Sequence, residues 1–268
     1  MLRKPCVAGK FYPADGLELS KNVRGYLAGA SAAREKAVAV IAPHAGYIYS
    51  GHVAGALYAS VEIPDDVILI GPNHTGLGAD ASVMAKGSWE TPLGKVGINE
   101  KLASSVLSSS PLFKEDTSAH IMEHSLEVQL PFLLEINRNV RIVPVTLMRA
   151  SADNCVLMGK AIADAVASYG KKVLIAVSSD MNHYESDKKT RQKDALAIDR
   201  VLSLDAKGLL EVASSRDITM CGVIPAAVAI AAAKSLGAVE ARLVKYATSG
   251  DTSGDYSHVV GYAGILIK

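Results

Sequence analysis

The sequence predicts an α/β fold with three layers: a mixed, mostly parallel central sheet with helices on both faces, within a single domain of residues 1–268. Three observations predict it. Apolar runs such as KAVAVIAPH, DVILIGPNH and KVLIAVSSD recur along the chain, and such runs read as strands buried on both faces. Segments of helical periodicity separate most of them, so strands and helices alternate. The 268 residues are 49% hydrophobic but only 5% aromatic, which suits a substantial core of Val, Ile, Leu and Ala.

The elements follow in order. Residues 16–29 read as an amphipathic helix and 36–43 as a strong strand. GHVAGALYASV (51–61) has small and apolar residues at helical spacing, and 66–72 is a second buried strand. Residues 81–98 read as two short strands around a turn rich in Gly and Pro. A helix over 99–108 takes Asn99 as its N-cap, and one over 125–136 takes Ser125, with Pro131 kinking or splitting it. Residues 141–148 are a strand, 151–169 a helix opened by Ser151 and Asp153, and 172–179 a strand. Helices over 186–203 and 205–215 precede one at 223–236 that is apolar on nearly every face and therefore buried. Strands at 240–247 and 259–267, antiparallel to each other, close the chain around a mobile-looking loop at 248–257.

Composition excludes several classes. The 28 basic and 27 acidic residues nearly balance and form no long run, so no nucleic-acid or polybasic membrane surface is indicated. Cys6, Cys155 and Cys221 are odd in number and widely spaced, which fits a reducing compartment rather than a disulfide framework. The N-terminal MLRKPCVAGKFYP has no apolar signal region, and the longest apolar stretch, CGVIPAAVAIAAA, is too short to span a bilayer. A cytoplasmic location is expected.

The chemistry gathers at strand ends. His44 and His74 each follow a buried strand, and both sit among small residues beside Pro or Gly. Ligands of open α/β sheets bind outside the carboxyl ends of the strands. Alone, such a histidine also serves as a structural hydrogen-bonding residue; two in one context indicate a shared site. Asp180 and His183 follow a third strand, where a carboxylate can orient a histidine or the pair can merely introduce the next helix. Cys221 precedes a helix start, a position that lowers a thiol's pKa, although a buried inert cysteine reads the same way. His124 is a candidate at a helix entrance, His120 reads as a surface residue, and Glu123 and Glu127 read either as partners behind the site or as solvated charges. His52 and His258, like Cys6 and Cys155, default to structure. No GxSxG, GxGxxG after a strand, Walker A or HExxH is present.

RKPCVAGKFYP, APHAGYIYSGHVAGALY, ILIGPNHTG, WETPLG, EHSLEVQLPFL, VSSDMNHY and TMCGVIP, in this order, resemble the MEMO family, whose prokaryotic members are often called AmmeMemoRadiSam system protein B. The resemblance implies a fold similar to the class III extradiol, LigB-like non-heme iron dioxygenases. It implies metal ligation by His44, His74 and Cys221, the cysteine standing where the dioxygenases have a glutamate. His183 matches their catalytic histidine, with Asp180 beside it, and His124 matches a further pocket histidine. Iron or copper is implied as cofactor. A thiolate is softer than a carboxylate, so copper(I) or zinc suits the set as readily as iron(II).

Two functions compete at this point. One is a redox metalloenzyme, dioxygenase-like, acting on a small phenolic substrate. The other is a catalytically silent module that uses the pocket for a peptide or for an AMMECR1-like or radical-SAM protein partner. A cysteine hydrolase, with Cys221 as nucleophile and His183 as base, is a third reading.

Overall fold

The structure, a computed structural model, describes residues 1–28 and 34–268. In chain order the elements are β1 (Leu2–Arg3), α1 (Gly16–Leu27), β2 (Ala39–Ala42), α2 (Tyr47–Ala59), β3 (Asp66–Pro72), β4 (Ala81–Val83), β5 (Ser88–Thr91), β6 (Gly94–Ile98), α3 (Glu100–Ser109), β7 (Lys114–Glu115) and α4 (Ser118–Ile121). A 3-10 turn (Glu127–Gln129) leads into α5 (Leu130–Ile136), followed by β8 (Arg141–Leu147), α6 (Ala152–Tyr169), β9 (Val173–Ser178), β10 (His183–Glu185), α7 (Asp187–Leu202) and α8 (Ala206–Ser215). The chain ends with α9 (Val223–Ser235), β11 (Ala241–Thr248), α10 (Gly250–Ser253) and β12 (Val259–Ile267).

The centre of the sheet is four parallel strands in the order β8-β3-β9-β2. Their side chains are almost wholly buried, as continuous apolar runs require. β12 joins β2 antiparallel and carries β11 on its other side, also antiparallel. The β5–β6 hairpin extends the opposite flank through β6 on β8. On one face α9 lies on β2, β3 and β9, with α6 and α8 against it. On the other, α2 lies on β2, β11 and β12, with α1 against it. This is the expected three-layer α/β architecture. No helix among the described residues is long and apolar enough to cross a membrane.

Local signals explain most elements. Asn99 accepts a hydrogen bond from Leu102 N at the start of α3, and Ser151 does the same for Asn154 N at the start of α6. α9 is buried along Pro225–Ile230, Ala232 and Ala233, so its even apolarity reflects packing on both sides.

Several expectations change. The helix expected over 16–29 runs over Gly16–Leu27, and residue 29 lies outside the described residues. The strand expected over 36–43 narrows to Ala39–Ala42, and α2 begins at Tyr47, ahead of 51. The region 81–98 forms β4, β5 and β6. Ser125 does not cap a helix. Its amide donates to the Glu123 carboxylate (2.9 Å) and its hydroxyl to Pro72 O (3.1 Å), so the chain turns there, and the α-helix starts only at Leu130, after the 3-10 turn. Pro131 then falls in the first turn of α5, where its missing N–H costs nothing. The loop 248–257 contains the helical turn α10.

Candidate metal centre

The carboxyl ends of β2, β3 and β9 lie side by side, and each delivers part of one site. His44 follows β2 by two residues and His74 follows β3 by two. β9 lies between them in the sheet and ends at Ser178. The donor atoms of His44, His74 and Cys221 all lie within 4.8 Å of one another. His44 is buried, Cys221 is half-buried, and His74 is the exposed member.

The hydrogen bonds around each ring determine which nitrogen is free. Ser178 Oγ lies 2.6 Å from Ser125 O, an acceptor only, so the hydroxyl donates there. It accepts from Gln129 Nε2 at 2.9 Å. His44 Nδ1, 2.8 Å away, must therefore carry a proton and donate to the remaining lone pair. That leaves His44 Nε2 unprotonated, 3.2 Å from Cys221 Sγ. His74 Nδ1 donates to Glu123 Oε1 (2.9 Å), so its Nε2 is free as well. Carboxylate or hydroxyl partners behind a histidine ring are the usual support of a metal ligand.

Glu123 is fully buried and accepts from His74 N (2.5 Å) and Ser125 N (2.9 Å) besides the ring. Burial works against its charge, but the hydrogen bond from His74 and the backbone amides outweigh burial and hold the carboxyl down to about 2. The same oxygen lies 3.5 Å from His124 Nδ1. The rings of His74 and His124 stack at 4.8 Å between centroids, with His44 edge-on to both. Phe11 closes the outer side of His124. Burial first, then the neighbouring histidines, hold His44 well below the usual histidine range, and burial lowers His124, so both rings favour the neutral form.

Two glycines permit this crowding. A Cβ at Gly71 would meet Leu126 Cδ2 at 2.7 Å and Ser125 Oγ at 2.9 Å, so only glycine lets the Glu123–Ser125 turn seat on β3. At Gly222 it would meet Ser179 Cβ at 2.4 Å, so glycine lets the Cys221 loop reach β9.

Asp180 does not pair with His183 as expected. Its Oδ1 accepts from the backbone amides of His44 (2.7 Å) and Ala45 (3.3 Å). Its role is to fix the turn that carries His44, and burial pushes its carboxyl up. His183 is held instead by Thr219, whose carbonyl accepts from Nδ1 (2.9 Å) and whose Oγ1 accepts from the His183 amide (2.8 Å). His183 is more exposed than His44, and its Nε2 is left free. Cys221 also departs from expectation. It precedes α9 by two residues and is surrounded by Asp180 N (3.2 Å) and Ser179 Oγ (3.9 Å). Burial, then the Asp180 charge, push its thiol well above the ordinary value rather than below it. Its ring neighbour is His44, not His183, so the nucleophile–base pair of a cysteine hydrolase is not assembled.

His120 is fully buried, not a surface residue. Its ring sits against Trp89, and neither nitrogen has a hydrogen-bond partner among the described residues. Burial, then the nearby Arg3 charge, push it down to about 4. Glu127 is buried too, not solvated: Arg3 pairs with it, Tyr12 Oη donates to it at 2.6 Å, and Cys6 Sγ lies 3.2 Å away. Cys6 thus packs against the hydrophobic core, as expected, and also borders this polar cluster. Ser178, Gln129 and Thr219 had no reading in the sequence. Gln129 alone left a signal, as the single amide in the apolar run VQLPFLL.

Strand order and donors together make this an α/β protein with a candidate metal centre at the carboxyl edge of its parallel strands. A family model described as Memo-like protein matches residues 3–266, and the chain belongs to this family. A MEMO1 family protein of Pyrobaculum arsenaticum is 45% identical, covering 99% of this chain and 98% of that one. One from Methanopyrus kandleri is 41% identical, covering 100% and 99%. Among solved structures, an uncharacterized protein of Escherichia coli K12 shares the fold, with a TM-score of 0.58 at 11% identity over 85% of this chain and 98% of that one.

Proposed function

We propose that this chain is a redox metal protein that holds iron or copper through His44 Nε2, His74 Nε2 and Cys221 Sγ, and acts on a small phenolic substrate. The observation that carries the reading is the convergence of three donor atoms within 4.8 Å, with both histidine tautomers fixed from behind. The donor set fits such an ion: two imidazoles and one thiol suit iron, copper and zinc, and three protein ligands leave a position for a further ligand. When bound, the metal supplies Lewis-acid and one-electron chemistry.

The chain's own residues do the rest. Ser178 and Glu123 hold the two rings with Nε2 facing inward. His183 takes a proton from the phenol at Nε2, because its Nδ1–H is committed to Thr219 O. His124 and Phe11 bound the space beside His74 and shield it from water on that side. Asp180 keeps the His44 turn closed.

Anaerobic loading with iron(II), copper(I) and zinc in turn, followed by oxygen uptake on a panel of catechols, tests the reading. One metal per chain is expected, lost in His44→Ala and Cys221→Ser, with metal-dependent oxygen consumption that falls in His183→Gln. Unchanged metal content in both ligand variants overturns the assignment of ligands. Specific metal binding with no turnover on any phenol overturns the enzymatic half and leaves the silent binding module.

A further inference from the structure

We infer that Asn182 is the positioning residue that locks the His183 loop to the Cys221 loop, setting the proton-carrying ring and the thiol ligand through one amide group. The inference rests on the metal-protein reading above for the roles of His183 and Cys221. Its own basis is the hydrogen-bond network between two stretches of chain more than thirty positions apart.

Asn182 is fully buried between them. Its Oδ1 accepts from Thr219 N (3.1 Å) and Thr219 Oγ1 (3.2 Å). Its Nδ2 donates to Glu185 Oε2 (2.9 Å). Two donors face one end and a carboxylate faces the other, so the network leaves the amide a single orientation. Lys189 (2.5 Å) and Lys193 (2.9 Å) hold Glu185 in place. The backbone N–H of Asn182 donates to Asp194 Oδ1 (2.8 Å), whose other oxygen accepts from Tyr246 Oη (2.6 Å). Asn182 is therefore anchored to α7, and through Asp194 to β11, before it touches Thr219.

Thr219 passes that anchorage in two directions. Its hydroxyl and carbonyl hold the His183 backbone and ring. Two residues further on is Cys221, so fixing Thr219 also fixes the approach of Sγ to His44. A fully satisfied buried amide of this kind specifies a unique geometry, while a half-satisfied one loosens it.

The test uses the full chain with Thr219→Val, Thr219→Ser and Asn182→Ala, and two readouts. The first is the ring tautomer of His183 by long-range nitrogen–proton NMR. The second is cobalt(II) titration, read by the thiolate-to-cobalt absorption that Cys221→Ser abolishes. Asn182→Ala is expected to release the single Nδ1–H tautomer of His183 and to weaken cobalt binding roughly tenfold, the range of outer partners of a metal site. Thr219→Val moves both readouts the same way by less, and Thr219→Ser restores both. Folded variants that lose thermal stability but keep tautomer and cobalt absorption unchanged overturn the inference. If Asn182→Ala fails to fold, the Thr219 pair decides alone. If the parent chain gives no thiolate–cobalt absorption, the metal reading falls, while the tautomer readout, which needs no metal, still decides Asn182.

Discussion

His44 and His74 form one wall of the candidate centre, and Cys221, with His183 placed beside it by the proposed function, forms the other; the two walls are built differently. The first wall hangs directly from parallel strands β2 and β3, and buried side chains back it: Ser178 and Gln129 behind His44, Glu123 behind His74. The second wall consists of the segment running from β9 into β10 and the loop after α8, joined by Asn182 and Thr219. Its ring partner is a backbone carbonyl, and His183 is half-buried. On the proposed reading, the two histidine ligands follow the ends of parallel strands, and the ring assigned to proton transfer sits on a connecting segment held by a hydrogen-bond network. Four predictions break or sharpen this contrast.

The largest effect is expected below the first wall. Arg3 pairs with Glu127, donates to the carbonyls of Glu123 (2.6 Å) and His120 (2.9 Å), and stacks on Trp89. Both charged groups are wholly buried. Arg3→Met leaves the Glu127 carboxylate without its cation, which costs about 3–5 kcal/mol. Urea unfolding with a chelator present measures it. Adding Glu127→Leu to Arg3→Met restores part of the loss, because the stranded charge is gone. If the single variant unfolds like the parent, Arg3 does not support this wall.

Next comes the partner behind His74. Glu123→Gln replaces one acceptor oxygen with an NH2 that cannot accept from His74 or Ser125. Metal affinity is expected to fall about 10–100-fold. Ser179→Ala, on the second wall, removes a hydroxyl that accepts from Gly222 N (2.9 Å) but lies 3.9 Å from Sγ, and its effect is smaller. Equal losses in a competitive zinc titration would erase the difference between the walls.

How much of this was legible in the sequence follows the same division. His44 and His74 announce themselves because a buried strand ends in Pro-His or Asn-His, and strand ends converge in any parallel sheet. Cys221 stood out by its place before an apolar helix, though the supposed effect of that helix on the thiol was reversed by burial. The supports were not legible. Arg3 and Glu127 meet across 124 positions and Asn182 and Thr219 across 37, and no local pattern encodes such a pair. Asp180 and His183 misled for the opposite reason: three positions apart, they invite a local pairing, while the backbone turn sends one carboxylate back to His44. His120 failed likewise, since its burial depends on Trp89 of the β5–β6 hairpin.

Behind the second wall, Asp194 predicts a pH dependence. Burial pushes its carboxyl up to about 7 from the ordinary 3.8. The folded state therefore holds a proton that the unfolded state has released within that window, so stability falls as pH rises through it and levels off above. Asp194→Asn removes this contribution, worth at most a few kcal/mol at about 1.4 kcal/mol per pH unit. Unfolding of parent and variant at about pH 4.5 and about pH 7.5 isolates the slope. An identical slope in both would show that Asp194 is ionised in the folded chain across the range.

The smallest effect separates backbone from side chain at the open end of the second wall. Tyr184 follows His183 with φ of 61°, in the left-handed region, and is 78% exposed. A residue with a Cβ pays about 1–2 kcal/mol there. Tyr184→Gly relieves that strain but adds freedom to the unfolded chain, about 0.5–1 kcal/mol in the opposite direction. A net gain of about 0–1.5 kcal/mol follows. Tyr184→Ala keeps the strain and removes only the ring, which lies 5.6 Å from that of His183. It is therefore expected below Tyr184→Gly in urea unfolding, with cobalt affinity unchanged in both. The reverse order would mean that the contact between the two rings outweighs the strain. His183 would then be held from both sides, and the second wall would be less yielding than its loops suggest.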